Sequence, residues 1–191
     1  MNTPAHLLIG WAAFARNKPN TVVAAALVGG LLPDLSLYVM ASTSLFILDI
    51  PPSVVFGQLY FSDLWQTIFS VDNSFFVWSA LLALAIWKKK EWGIALCGAA
   101  LLHLLGDLPL HHDDGRAHFW PLTNWIFESP LSYWDTRHHA RIVGPLEFLL
   151  CLGCAIAILW QRLLQRKAVL VVVLLIMEGV AILPGFFGMF A

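Results

Sequence analysis

Charge is what this chain has least of. Of its 191 residues only 12% are Asp, Glu, Lys or Arg, about half the ~25% usual in a soluble globular domain. With 59% hydrophobic residues, a mean hydropathy of +0.75 and several apolar runs of spanning length, the composition excludes an ordinary soluble domain. It points to an integral membrane protein. The basic residues are few and segregated, the net charge is −1, and no basic patch with interleaved aromatics occurs. Nucleic acid is therefore not an expected partner. Cysteine is scarce too: Cys97, Cys151 and Cys154 all fall inside apolar runs. Cys151 and Cys154 form C-x-x-C, but in LLCLGCAIAI no His or charge stands beside them, so they read as small-residue helix packing. The opening MNTPAHLLIGWAAFAR has no basic stretch ahead of its apolar part, which argues against a cleaved signal peptide. Neither an internal repeat nor a low-complexity tract is present.

What is present is a series of apolar runs, read as an all-α, polytopic bundle of about five to six transmembrane helices forming one domain, 1–191. The first run, Ala5 to Ala15, is short for a span, which needs ~20 residues. Thr21 to Met40 follows, with Pro33 expected to kink or end the helix and expose Asp34. Residues 41–70 are mixed, with Pro51-Pro52, and read as a loop with an interfacial helix. Val71 to Trp87, Trp92 to Leu110, Ile142 to Trp160 and Ala168 to Phe190 complete the spans. Between them, 111–141 is rich in His, Trp and Pro and reads as a structured interfacial cap.

The basic residues sort into three short loops: Arg16/Lys18, Lys88–Lys90 and Arg162/Arg166/Lys167. The positive-inside rule assigns all three to the cytoplasm of a cell with an inner membrane. Alternating spans then bring His6, Asp34, Asp107, His111 and Glu147 to the non-cytoplasmic ends of their helices.

The densest chemistry lies in His103 to Pro121, HLLGDLPLHHDDGRAHFWP, which holds four of the seven histidines. His103 and Asp107 are four apart, so on a helix they share one face. An ionisable group at membrane depth is expensive and usually faces the bundle interior. His6, Asp34, His103 and Asp107 all sit in or beside apolar runs, and a divalent metal would satisfy several at once. Imidazole and carboxylate ligands suit Zn²⁺, with Mn²⁺ or Fe²⁺ as alternatives.

At these residues the chain resembles a family of small bacterial inner-membrane proteins described as membrane-bound metal-dependent hydrolases. The matching stretches are TPAHLLIG, LLPDLSLY, and the H-x-x-x-D of HLLGDLPLHHDD followed by HFWP. The resemblance implies a helical bundle presenting His and Asp to a divalent metal, by analogy with zinc phospholipase C-like folds. Carried over, it makes His6, Asp34, His103 and Asp107 the first ligand candidates, with His111 or His112 next. The H-R-G-x-T-H-S element common in that family is missing: FSVDNSFFVWS stands in its place, without a histidine. Either Asp72 and Asn73 substitute, or histidines of 111–118 or 138–139 do.

A hydrolase of this kind would use the metal to polarise a phosphoryl or carbonyl oxygen and to acidify water. Asp113 or Asp114 would serve as general base and Arg116 would hold an anionic group, with Arg137 as an alternative. The expected substrate is a lipid or lipid-linked phosphoester reached at the outer face of the cytoplasmic membrane. Two other readings compete: a metal-stapled structural or interaction protein, and a transporter with an intramembrane His/Asp relay. The near absence of ionisable residues in the cytoplasmic halves of the spans counts against the transporter.

Overall fold

The computed structural model describes residues 1–160 and 165–183, and every regular element among them is helical. The elements are α1 (Thr3–Phe14), α2 (Asn20–Phe46), α3 (Pro52–Val54, running into a π-turn over Val55–Leu59), α4 (Asp63–Asp72), α5 (Phe75–Trp87), α6 (Glu91–Asp107), α7 (Ala140–Leu159) and α8 (Gln165–Ala181). Three stretches are long and apolar enough to cross a membrane: Asn20–Phe46, Asp63–Trp87 and Ala140–Leu159. Arg162 and the end of the expected last span, 184–190, lie outside the described residues, as does the side chain of Arg166.

One of the shorter helices is the central one. α1 has 12 residues, ~18 Å at 1.5 Å per residue, and packs against α2, α6, α7 and α8. Pro4 sits in its first turn, where a missing N–H costs nothing. Ala5, His6, Leu8 and Trp11 are buried all round. The outer helices turn their apolar residues the other way: Ile142, Leu146, Leu149 and Ile156 on α7, and Val169, Val173, Ile176 and Val180 on α8, are exposed. At three- and four-residue spacing these form stripes suited to lipid rather than water.

Small residues let the inner helices touch backbone to backbone. A Cβ on Gly29 would lie 2.0 Å from the Leu96 carbonyl oxygen of α6, and one on Gly30 would lie 2.9 Å from the His6 carbonyl oxygen of α1. That approach brings α1 and α6 onto the same turn of α2.

The expectation that Pro33 ends or kinks its helix is corrected in part, because α2 continues through Pro33 to Phe46. Proline leaves a helical carbonyl without its usual donor and loosens the turn around it. Here side chains occupy that turn: His103 Nδ1 donates to the Gly30 carbonyl at 2.8 Å and Asn73 Nδ2 to the Pro33 carbonyl at 3.0 Å. The expected loop over 41–70 is accordingly shorter, and α4 meets α5 at a corner where Ser74 caps Phe76 N and Val77 N.

The basic loops gather at one end. Lys18 Nζ lies 3.4 Å from Glu91 at the start of α6, and Lys167 Nζ donates to the Lys18 carbonyl at 3.5 Å. The segment 108–139, irregular apart from a 3₁₀ turn at Thr136–His138, covers the other end and is folded on itself by Ser129 N to His111 O at 3.0 Å and Ser132 N to His138 O at 2.8 Å. Phe75 N also donates to His118 O at 2.9 Å, which fastens α5 to this cap.

A candidate metal centre

Three helices deliver four side chains to one point. His6 comes from the first turns of α1, Asp34 from the turn after Pro33 in α2, and His103 and Asp107 from successive turns of α6. One ligand atom from each lies within 4.8 Å of all the others. Tetrahedral ligands ~2.1 Å from a common ion lie ~3.4 Å apart, so closing on an ion draws the outermost ligand atoms together by about 1 Å. The site lies ~21 Å along α2 and ~24 Å along α6 from their basic ends, at 1.5 Å per residue.

The polar atoms are left as a cation would need them. The His6 and His103 rings stack at 3.6 Å with 13° between planes. His6 Nε2 approaches Asp107 Oδ1, and His103 Nε2 approaches Asp107 Oδ2, both at 3.0 Å. Neither contact has hydrogen-bond geometry, so both buried nitrogens lack a hydrogen-bond partner. A carbonyl can only accept, so the 2.8 Å contact with Gly30 O puts a proton on His103 Nδ1 and turns Nε2 towards Asp107. Asp34 Oδ2 stands 3.6 Å from the same nitrogen and accepts from Tyr38 O–H at 3.3 Å. Thr3 Oγ1 is hydrogen-bonded to Tyr38 in turn. The Met1 amino group lies 2.5 Å from Asp107 Oδ1, so a positive group already rests against this carboxylate. Two imidazoles, whose Nε2 atoms lack a hydrogen bond, and two carboxylates make a donor set that could hold a divalent ion.

The next histidine is close but differently engaged. His111 Nε2 is 3.6 Å from Asp107 Oδ2 and Nδ1 is 2.9 Å from Asp114 Oδ1. Burial depresses the His111 imidazole, but the Asp107 charge and contacts with Asp107 and Asp114 outweigh it and raise the value to about 9. His111 thus bridges the two carboxylates, Asp107 and Asp114. Burial raises the Asp114 carboxyl, yet His111 and the Trp134 indole, 3.1 Å away, hold it below its ordinary value. His112 stands apart from the four: Nδ1 donates to Ser129 O at 2.7 Å and its ring stacks on His138 at 3.6 Å. Asp113 is exposed, while Arg116 is buried with its guanidinium 4.1 Å from the Phe69 ring centre and 4.6 Å from that of Tyr60.

Asp72 and Asn73 do not join the cluster. Asn73 braces the corner instead, donating to Pro33 O and to Phe69 O at 3.1 Å, while its carbonyl accepts from His118 Nδ1 at 3.0 Å. His138 pairs with Asp135 at 3.0 Å, and His139 is exposed at the start of α7. Glu147 accepts from Asn2 N at 2.6 Å, and the buried Glu178 accepts from Asn2 Nδ2 at 3.3 Å. Composition could not show that the start of α1 is moored by acids of α7 and α8. Tyr38 was findable, since it follows Asp34 by four residues on one helix face.

A cavity of about 790 Å³ opens from Asp34, Asp107 and His111, and Tyr60, Asp113, Asp114, Arg116, Tyr133 and Trp134 are among its walls. Comparison with protein-family models, curated proteins and solved structures returns no match for this chain.

Proposed function

We propose that the protein is a membrane-embedded, metal-dependent hydrolase acting on a lipid or lipid-linked phosphoester. The observation that carries this reading is the cluster of His6, Asp34, His103 and Asp107, whose two carboxylates line a large cavity. His6, Asp34, His103 and Asp107 would hold the ion, most simply Zn²⁺, with Mn²⁺ or Fe²⁺ as alternatives. A divalent ion bound there supplies Lewis acidity to a phosphoryl oxygen and acidifies water.

The chain's own residues do the rest. Gly30 fixes the His103 tautomer, and Tyr38 with Thr3 orients Asp34. His111, placed between Asp107 and Asp114 on the cavity wall, stands where it can donate a hydrogen bond to a phosphoester oxygen. The resemblance to the inner-membrane hydrolases supports the same assignment. Its bundle of five to six spans follows if α1, α6 and α8 also cross, short as they are, with the three basic loops in the cytoplasm and the site on the opposite face.

Elemental analysis of the detergent-solubilised protein beside His103→Ala and Asp107→Ala tests the centre. Near-stoichiometric metal in the parent, lost from both variants, is the expected result, followed by metal-dependent release of phosphate or head group from lipid phosphoesters. Failure to retain any ion after reconstitution with each one would overturn the reading. A metal staple without catalysis is the second reading, and the four-ligand count favours it, because a closed tetrahedral set leaves no open position. Bound metal with no hydrolysis of any phosphoester would decide for the staple.

A further inference from the structure

The cavity beside the metal centre has a lining that an anion alone does not explain. Six aromatic side chains face it, Tyr38, Phe56, Tyr60, Phe61, Tyr133 and Trp134, together with four carboxylates, Asp34, Asp107, Asp113 and Asp114. Its positive groups are already engaged. Arg116 is buried against the faces of Phe69 and Tyr60 and bonds the Tyr60 hydroxyl. His111 is held between Asp107 and Asp114 at 3.6 Å and 2.9 Å. Asp34 and Asp107 belong to the metal centre, and Asp114 is taken up by His111 and Trp134. What remains towards the open side is Asp113, exposed and without a hydrogen bond among the described residues, its charge felt by Arg137, on a wall shared with the half-exposed Phe56 and Phe61.

Aromatic faces carry negative charge density and attract cations, most strongly those with weakly hydrated ammonium groups, and a carboxylate at the rim adds to that attraction. We propose that the cavity is an ammonium-recognition pocket, so that the substrate is a phosphoester whose head group also carries an amine or quaternary ammonium. The phosphoester half of this assignment rests on the hydrolase reading above; the ammonium half rests only on the lining. In this arrangement the phosphoryl group meets the metal centre and His111, and the ammonium lies among Phe56, Phe61 and Asp113. Volume is adequate, since about 790 Å³ falls in the ordinary range for small-molecule pockets, roughly 300–1,000 Å³.

The test separates charge from shape. Calorimetric titration of the protein in maltoside micelles would compare choline with its neutral carbon isostere, 3,3-dimethylbutan-1-ol, in the metal-loaded and the chelator-treated protein. Choline is expected to bind roughly tenfold more tightly than the isostere in both forms, the size of a partly desolvated cation–π contact. Phe56→Leu and Asp113→Asn should each weaken choline about fivefold or more and leave the metal content unchanged. Equal binding of the two probes, or no binding of choline, would overturn the proposal. Choline preference in a protein that retains no metal would instead remove the hydrolase reading and leave the pocket standing. Phosphocholine and dodecylphosphocholine then distinguish the source of the ammonium: equal affinities indicate a soluble head group, and a gain with the chain indicates a lipid.

Discussion

Tyr38 shows how single side chains set the chemistry of the centre. Its hydroxyl donates to Asp34 Oδ2 at 3.3 Å and is itself held by Thr3, so it fixes which carboxylate oxygen faces the imidazoles. Partners that orient a ligand typically contribute 10–100-fold in metal affinity. Tyr38→Phe should therefore weaken metal binding by roughly that factor with little change in folding; competition against a chromophoric chelator measures it, and an unchanged affinity would remove Tyr38 from the role. Asp135 governs the cap in a different way. It is fully buried and accepts from Arg137 Nη2 at 2.9 Å, from Arg137 N at 2.9 Å and, on His138, from Nδ1 at 3.0 Å. The Arg137 hydrogen bonds hold its carboxyl well below the ordinary range, against the opposing effect of burial. The folded value lies beneath the unfolded ~3.9, so the stabilisation is complete above that value and is lost as pH falls through it towards the folded one. Thermal melts from pH 6 downwards should show the cap loosening below about pH 4, and Asp135→Asn should lower stability at neutral pH while flattening this acid limb. A variant with the parent's acid limb would show that another group carries it.

Among the elements, α2 and α6 make the closest contact, and it rests on a residue with no side chain. A Cβ on Gly29 would press to 2.0 Å from the Leu96 carbonyl oxygen. Backbone cannot yield as a flexible side chain can, so Gly29→Ala should cost about 1–3 kcal/mol or more, the usual range for overpacking. It should also weaken metal binding, because moving α6 from α2 separates His103 from Gly30 and Asp34. A variant of parental melting temperature and metal affinity would show that the helices have room. The same contact marks where the sequence stops being informative. His6, Asp34, His103 and Asp107 could be nominated one at a time, because an ionisable residue in an apolar run needs a partner, and H-x-x-x-D fixes one pair on one face. That α1 would lie in the middle of the bundle, its His6 ring flat on His103, follows from glycines whose role needs the neighbouring helix to be visible. Pro33 misled for a related reason: its local preference is to interrupt a helix, but His103 and Asn73, distant in sequence, occupy the loosened turn. The boundaries of α6 and α7 were legible to within a few residues, since long apolar runs closed by charge leave little choice.

At the scale of the molecule, one ion would join α1, α2 and α6, and its removal should be felt globally. A ligand at 100 times its dissociation constant stabilises by about 2.7 kcal/mol, which for a chain of this size corresponds to roughly 5–10 °C in melting temperature. Chelation should lower the melting temperature by about that much, re-addition should restore it, and His103→Ala should melt at the chelated value and ignore both treatments. An equal response of that variant would locate the ion elsewhere. Orientation is the remaining global property. The contacts of Lys18 with Glu91 and Lys167 put the basic loops together at one end, with Asp107 and the cap at the other. Cytoplasmic retention of Lys and Arg then predicts which end faces out. The native thiols suit a labelling test, because Cys97 and Cys151 are buried and Cys154 is only partly accessible within α7. In intact cells a membrane-impermeant maleimide should modify Asn124→Cys, in the exposed part of the cap, and should reach Lys90→Cys, among the basic residues before α6, only after permeabilisation. The reverse pattern would place the cavity on the cytoplasmic side, where its phosphoester would have to come from the inner leaflet.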